Sequence, residues 1–336
     1  MKTITNNDFL NYHFLSNLST SPNGELFTFV KATANYDDNK YDHQLYVSDG
    51  LSHRLVMNLK DYTDTSILRS NVEDNKTKVE IIDINTKEVL QTAEIPFPVS
   101  SFKKINDTQF IVSASLQSNF FDDDFSEHDY SLHEVIETIP FYSNGGTFTR
   151  GKINQIFLYD LETGDFEQIS SFAEIVSNYR FVKEENIVYF TSIPNTGITT
   201  FYDSVYIYDL NTGQRKDVYT KGEFSIADLI PLNNKLYVLA STLKDHGINQ
   251  NNDFYLIENK TLNLVEEFSL SAWNSIGSDV RFGGGVSRRI HDNKFYFVGT
   301  YHKTNRLYSF DGKKVDIILE PKGSIDHWEF YKDTIL

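Results

Sequence analysis

The sequence predicts an all-β chain, a β-propeller of four-stranded blades on a seven-bladed plan whose last blade is incomplete. Three observations predict it. One strand phrase recurs six times at blade-like spacing, and a second strand signature precedes each copy. The aromatic content is also that of pleated sheets, with 20 Tyr and 26 Phe among 336 residues, types that favour half-buried strand surfaces.

The repeated phrase is an alternating apolar strand, then an acidic residue, then a polar turn. It is clearest in QIFLYDLETGD (Gln155–Asp165) and SVYIYDLNTGQ (Ser204–Gln214). It recurs in QLYVSDG (Gln44–Gly50), KVEIIDINTKE (Lys78–Glu88), DFYLIENKTLN (Asp253–Asn263) and RLYSFDGKKVD (Arg306–Asp316). Alternation followed by Asn, Asp, Thr or Gly reads as a strand entering a hairpin turn. Asp160, Asp209 and Asp311 are expected to start that turn by accepting from backbone amides two residues on.

The preceding strand is written as NGELFTFV (Asn23–Val30), DTSIL (Asp64–Leu68), DTQFIVSA (Asp107–Ala114), ENIVYFTS (Glu185–Ser192), NKLYVLAS (Asn234–Ser241), NKFYFVGT (Asn293–Thr300) and DTIL (Asp333–Leu336). A first strand lies upstream, as in SNYRFVKE (Ser177–Glu184), and a fourth downstream, as in DFEQISS (Asp165–Ser171). Matched positions are 34 (46 to 80), 77 (80 to 157), 49 (157 to 206), 49 (206 to 255) and 53 (255 to 308) residues apart. Four strands at roughly 40–50 residues is the propeller-blade signature. A β-sandwich has many short strands but no repeated strand phrase at this period. The 77-residue step holds an insertion, and the 34-residue step is a compressed second blade.

Six blades are thus expected, with a seventh begun by DHWEFYKDTIL (Asp326–Leu336) and cut off. Domains rarely stop inside a strand, because unpaired backbone is left along an edge. The expectation is a single propeller domain over residues 1–336 that is a fragment of a longer protein, with Met1–Leu15 as a second means of closing the ring. A ring short of half a blade is also expected to self-associate through apolar edges.

The formal charge of −16 repels phosphate backbones and anionic lipid, which argues against nucleic acid or membrane partners. With no cysteine, disulfides, thiolate metal sites and a cysteine nucleophile are excluded within the chain. MKTITNNDFLNYHFL has no apolar core of signal-peptide type, and no stretch approaches the ~18 apolar residues of a membrane span. A cytoplasmic location is expected.

No catalytic motif is complete. GLSHR (Gly50–Arg54) and GVSRR (Gly285–Arg289) approach G-x-S-x-G, but each has arginine where the closing glycine must sit. HEVIE (His133–Glu137) has glutamate in place of the second zincin histidine. FFDDDFSEHD (Phe120–Asp129) has adjacent carboxylates and no glycine, unlike a calcium loop, and reads as a solvated loop. RFGGGV (Arg281–Val286) lacks a Walker lysine and fits close backbone approach in a strand. No cofactor and no metal are expected.

The insertion Leu116–Ile153 carries ETIPFYSNGGTFTRGK (Glu137–Lys152), an aromatic and Gly-rich segment of the kind that places binding residues at one blade. With LSTSPNGELFTFV (Leu18–Val30) and YDDNKYDHQLYVSDG (Tyr36–Gly50), this segment resembles the prolyl oligopeptidase family, in its acylaminoacyl-peptidase and dipeptidyl-aminopeptidase-like branches. The resemblance implies a propeller that is not itself catalytic, a lid and substrate filter over a C-terminal α/β-hydrolase domain. Its parent would be a serine peptidase acting on short or N-terminally blocked peptides. No triad residue can be carried over to this chain. By resemblance Asn144, Gly145, Phe148 and Arg150 match the inserted motif and are the candidate substrate-binding or gating residues.

A different class remains open: a free-standing protein-binding propeller, of WD-repeat or TolB-like type. Against the WD-repeat form, neither Trp273 nor Trp328 precedes aspartate. A lactonase-like propeller enzyme would need inward carboxylates and histidines at several blades, and the sequence offers no consistent set.

Overall fold

The computed structural model describes the chain except residues 1, 2, 4, 6, 22, 23, 52, 58–60, 63–65, 84, 127–131, 141–147, 277–287 and 333. Its strands form six four-stranded antiparallel sheets, each hydrogen-bonded in chain order. Blade one is β1 (His13–Thr20), β2 (Phe27–Asn35), β3 (Lys40–Ser48) and β4 (His53–Met57). Blade two, the compressed one, is β5 (Asp61–Tyr62), β6 (Ser66–Glu73), β7 (Lys76–Asp83) and β8 (Val89–Ile95). Blade three is β9 (Ser101–Lys104), β10 (Gln109–Gln117), β11 (Lys152–Asp160) and β12 (Phe166–Gln168). Blade four is β13 (Glu174–Val182), β14 (Ile187–Pro194), β15 (Ser204–Asp209) and β16 (Gln214–Tyr219). Blade five is β17 (Ser225–Leu232), β18 (Lys235–Ser241), β19 (Asp253–Glu258) and β20 (Thr261–Glu266). Blade six is β21 (Arg288–His291), β22 (Lys294–Tyr301), β23 (Thr304–Phe310) and β24 (Val315–Leu319). A two-stranded sheet of β25 (Phe330–Tyr331) and β26 (Thr334–Ile335) follows.

Two compact units divide these elements. One holds residues 1–70, 79–92 and 268–336, and the other holds residues 71–78 and 93–267. Blades one and six belong to the first unit and blades three, four and five to the second, while blade two contributes to both.

The repeated phrase is the third strand of its blade, and its period has a backbone counterpart. The ladder between third and fourth strands shifts register at Leu45/Tyr46, Val205/Tyr206, Phe254/Tyr255 and Leu307/Tyr308. An extra residue in the outer strand bends it and increases the local twist. The expected turn chemistry is present as well. Asp160 Oδ1 accepts from the N–H of Glu162 at 2.9 Å, Asp209 Oδ1 from Asn211 at 2.9 Å and Asp311 Oδ1 from Lys313 at 2.8 Å. Those amides favour the ionised carboxylate and hold Asp209 and Asp311 below the usual aspartate range. Elsewhere two-residue turns take positive φ at both positions, as at Asn233–Asn234 (50° and 58°), the hairpin geometry that suits the strand twist.

A second repeated device is absent from the phrase as read. Three residues before the matched positions 80, 206 and 308 stand Thr77, Asp203 and Asn305, all buried. Each reaches the backbone that opens the next sheet. Thr77 Oγ1 donates to Phe97 O (2.9 Å) and accepts from Val99 N–H (2.8 Å). Asp203 Oδ2 accepts from Ile226 N–H (2.8 Å), and Asn305 Oδ1 accepts from Ile325 N–H (2.6 Å). A buried backbone group without a partner would be costly, so short polar side chains at this register stitch successive sheets together. Apolar packing fills the space between: Ile111, Ile156, Val176, Val188 and Phe190 join blades three and four, and Val205, Tyr219, Ile226, Leu229 and Val238 join blades four and five.

The count of blades is six, which corrects the seven-bladed plan. Asp326–Leu336 matches the first- and second-strand signatures, yet among the described residues its backbone pairs only with itself, through Phe330↔Ile335, Tyr331↔Thr334 and the reciprocal Glu329–Leu336 bonds. Its side chains serve the neighbouring sheets. Trp328 is buried with Val298 and Leu307 of blade six. Tyr331 packs edge-on to Phe27 of blade one, and its phenol shares a proton between the carbonyls of Asp49 (2.7 Å) and Glu25 (3.0 Å). A hairpin of three residue pairs makes a fastening between blades six and one, not a blade.

Candidate functional site

The second and third strands are joined by short turns in three blades, at residues 36–39 in blade one, 74–75 in blade two and 302–303 in blade six, and by residues 195–203 and 242–252 in blades four and five. Blade three uses residues 118–151. A connection this long within a compact fold is uncommon, and this length singles it out as the candidate site. Three sets of contacts hold its described parts.

Near its start, Phe121 sits within 6.2 Å, centroid to centroid, of Phe97, Phe157, Phe166 and Phe172. The run FFDDDF is therefore only partly the solvated loop expected of it. Asp122, Asp123 and Asp124 are exposed, while Phe121, itself 41% exposed, lays its ring on the buried Phe97 and Phe157. Aromatic pairs at such distances add to the area they bury.

Farther on, the backbone at Ile139 makes a parallel bridge to Ile198, which lies between β14 and β15 of blade four. Ile139 N–H donates to Gly197 O and Thr199 N–H to Ile139 O, both at 2.9 Å. Gly197 has φ +78°, and a Cβ there would lie 3.1 Å from Glu137 O. Only glycine allows this approach without strain.

At the far end, Arg150 takes φ +53°. Its guanidinium grips Glu134 with Nη2 at 2.6 Å and Nε at 3.3 Å, the two-pronged geometry that carboxylates accept best. Gln117 Nε2 donates to Arg150 O (2.9 Å), and the hydroxyls of Thr138 and Thr149 lie 3.0 Å apart.

Of the four candidate residues, Asn144 and Gly145 lie outside the described residues. Phe148 is half-buried and Arg150 exposed, and Arg150 is engaged with Glu134. Nothing in the sequence marks this pair: the two residues lie 16 positions apart and no periodicity connects them. The half-zincin HEVIE is accordingly divided, with Glu134 on Arg150 and Glu137 against the backbone near Gly151 and Gly197. Among the described residues no group of three His, Cys, Asp or Glu could hold a metal ion. Ser52 of GLSHR, residues 285–287 of GVSRR and all of RFGGGV lie outside the described residues.

Around these anchors the surface is apolar, with Leu132, Ile136, Ile139, Ile198 and Phe201 exposed. The β14–β15 connection ends at Asp203, which is buried and accepts from Ser177 Oγ at 2.9 Å through Oδ1. Removal from water outweighs both of its hydrogen bonds and pushes its carboxyl up to about 6. The loop cluster thus offers apolar side chains and a braced backbone, an arrangement suited to covering or sorting a ligand. No helix of the described residues is long and apolar enough to cross a membrane, which says nothing of membrane-crossing strands.

No family model matches the chain, and no curated protein matches it. Solved structures do. An acylaminoacyl peptidase from Pyrococcus horikoshii superposes with a TM-score of 0.65 at 15% identity, over 96% of this chain and 48% of its own. An acylaminoacyl peptidase in complex with Z-Gly-Gly-Phe-chloromethyl ketone gives 0.65 at 15% identity, over 96% and 49%. The β-propeller domain of the Trilobed protease from Pyrococcus furiosus, described as having an open velcro topology, gives 0.57 at 15% identity, over 95% and 87%. The chain spans about half the length of the acylaminoacyl peptidases it matches. At this identity the likeness is one of fold: the chain is an all-β β-propeller of six four-stranded blades, built like the propeller region of these peptidases.

Proposed function

We propose that this chain is the propeller region of a serine peptidase of the prolyl oligopeptidase family. In this reading it works as a lid and substrate filter over a C-terminal α/β-hydrolase domain, and the parent hydrolyses short or N-terminally blocked peptides in the cytoplasm. The observation that carries the reading is the coverage: nearly all of this chain aligns with about half of each acylaminoacyl peptidase. The nucleophile and its base would come from the hydrolase domain. This chain would supply the barrier, and the insertion of blade three, with Phe148 and Arg150 beside the apolar loop surface, is its proposed contribution to selecting peptides. Arg150 acts there by bracing the loop.

The test starts from the native protein. Antibodies raised against residues 1–336 capture it from source cells, and the captured material is treated with a fluorophosphonate probe. The expected result is a labelled polypeptide larger than 38.8 kDa that cleaves acetylated amino-acid anilides and leaves casein intact. An unlabelled polypeptide of 38.8 kDa would overturn the reading and point to a free-standing binding propeller.

A further inference from the structure

Tryptophan is the costliest side chain to leave in water, and on average it is highly buried. This chain has two. Trp328 is 2% exposed and packs on Val298 and Leu307 of blade six. Trp273, between β20 and β21, is 50% exposed.

The backbone that carries Trp273 is tied down on both sides of it. Thr300 N–H donates to Ser271 O (2.9 Å), Arg288 Nη2 to Ala272 O (3.2 Å) and Thr300 Oγ1 to Trp273 O (2.6 Å). Asn274 Nδ2 donates to Ile325 O (3.0 Å), and Ser275 N–H to Thr300 Oγ1 (2.8 Å). Gly299 admits this close approach, because a Cβ there would lie 3.2 Å from Ser271 O. The ring itself is supported by Arg288, which is 9% exposed and holds its guanidinium carbon 4.0 Å from the ring centroid. A half-exposed ring fixed in this way loses little freedom when a ligand covers it, as an aromatic anchor for recognition requires.

The buried guanidinium also decides the chemistry of that ligand. Tryptophan faces attract cations best, and here the chain fills that role itself. A second cation stacked on the opposite face would stand about 8 Å from the first, close enough to be repelled. The guanidinium also draws electron density from the indole, which weakens its hold on the polarised C–H groups of a sugar and favours offset stacking by a neutral ring. The exposed Ser275, two residues on, adds a hydroxyl for the amide groups that accompany an aromatic side chain in a peptide.

We infer that Trp273, backed by Arg288, is a binding platform for an uncharged aromatic side chain of a peptide. Such a platform needs no hydrolase domain, so the 336-residue chain suffices for the test. Saturation-transfer difference NMR should show saturable binding of N-acetyl-phenylalaninamide in the millimolar range. N-acetyl-cyclohexylalaninamide, of similar size but without π electrons, should bind about threefold or more weakly. N-acetyl-argininamide should not bind. Trp273→Leu should abolish the preference for the aromatic ring, and Arg288→Gln should let the arginine derivative bind. A wild-type chain with no saturable binding, or with equal affinity for the phenyl and cyclohexyl compounds, overturns the inference. So does a Trp273→Leu chain that keeps the preference, or a folded Arg288→Gln chain that still rejects the arginine derivative. Melting temperatures identify which variants are folded, and the wild-type and Trp273→Leu comparisons decide the matter whether or not Arg288→Gln folds.

Discussion

Replacing Asp203 with asparagine should make stability less dependent on pH, in a direction fixed by the surroundings of the carboxyl. Asp203 is 5% exposed. It accepts from Ser177 Oγ at 2.9 Å and from Ile226 N–H at 2.8 Å, and desolvation outweighs both, raising its pKa from 3.8 to about 6. The folded chain therefore keeps a proton that the unfolded chain has already released. Below pH about 4 both states are protonated and the contribution of the group is fully present. From about 4 to about 6 the folded state binds more protons, so stability falls as pH rises, and above about 6 the loss is complete. A rise of about two pKa units corresponds to about 3 kcal/mol. Asparagine is neutral throughout. Its Oδ1 can accept from Ile226 while its Nδ2 donates to the Ser177 hydroxyl, which accepts as readily as it donates. The variant is expected to match the wild type near pH 4 and to exceed it by about 2–3 kcal/mol at pH 7. Urea midpoints taken across this range, and plotted as variant minus wild type, cancel the other carboxylates. A difference that stays flat would refute the claim that desolvation dominates. One that falls with pH would show that the ionised form is the stabilised one.

The same measurement reads the ion pair at the start of blade four. Arg215 lies 3.7 Å over the ring of Tyr206 and grips the buried Glu174, so Glu174→Ala should cost about 3 kcal/mol by stranding the guanidinium, and adding Arg215→Ala should recover part of that loss. Tyr331→Phe deprives the carbonyls of Glu25 and Asp49 of their shared donor; it should cost about 1 kcal/mol and speed amide exchange in the terminal hairpin, and unchanged exchange would remove the fastening role. In the insertion, Glu134→Gln and Arg150→Gln should expose the loop to proteolysis equally, with no further effect when combined. Greater exposure in Arg150→Gln alone would mean that Arg150 braces the loop through a different partner.

Much of the architecture was legible because it repeats. Tyr206, Tyr255 and Tyr308, aligned from the phrase alone, are the residues at which the outer ladder shifts, and the aspartates that close the phrase make the turns expected of them. The stitch at Thr77, Asp203 and Asn305 is hidden in the sequence because three different side chains fill it. What they share is being short and polar at one register, a signal visible only once that register is fixed. The extra blade arose because DTIL satisfies a strand signature, whereas blade formation depends on how many residues find partners. Little of the candidate site could be read. Arg150 and Glu134 are joined by loop geometry, and Ile198 and Phe201 come from another blade, so neither relation leaves a period in the sequence.

The insertion of blade three is the part of the chain that the fold does not need. Blades two and six make the same connection in two residues, so residues 118–151 could be shortened without losing a strand. Ordering its described parts is entropically unfavourable, and the chain offsets that cost with an aromatic anchor, a backbone bridge and an ion pair. Those anchors also limit what the segment can do. Because the Arg150 fork already holds Glu134, an anionic ligand would have to displace a bidentate carboxylate to reach it. The loop pair also carries Glu134, Glu137 and exposed aspartates at 122–124, which add to the negative charge. In the proposed filter role, the segment would act through shape and its exposed aliphatic and aromatic side chains, and would discriminate against bulky or acidic peptides before recognising any particular side chain.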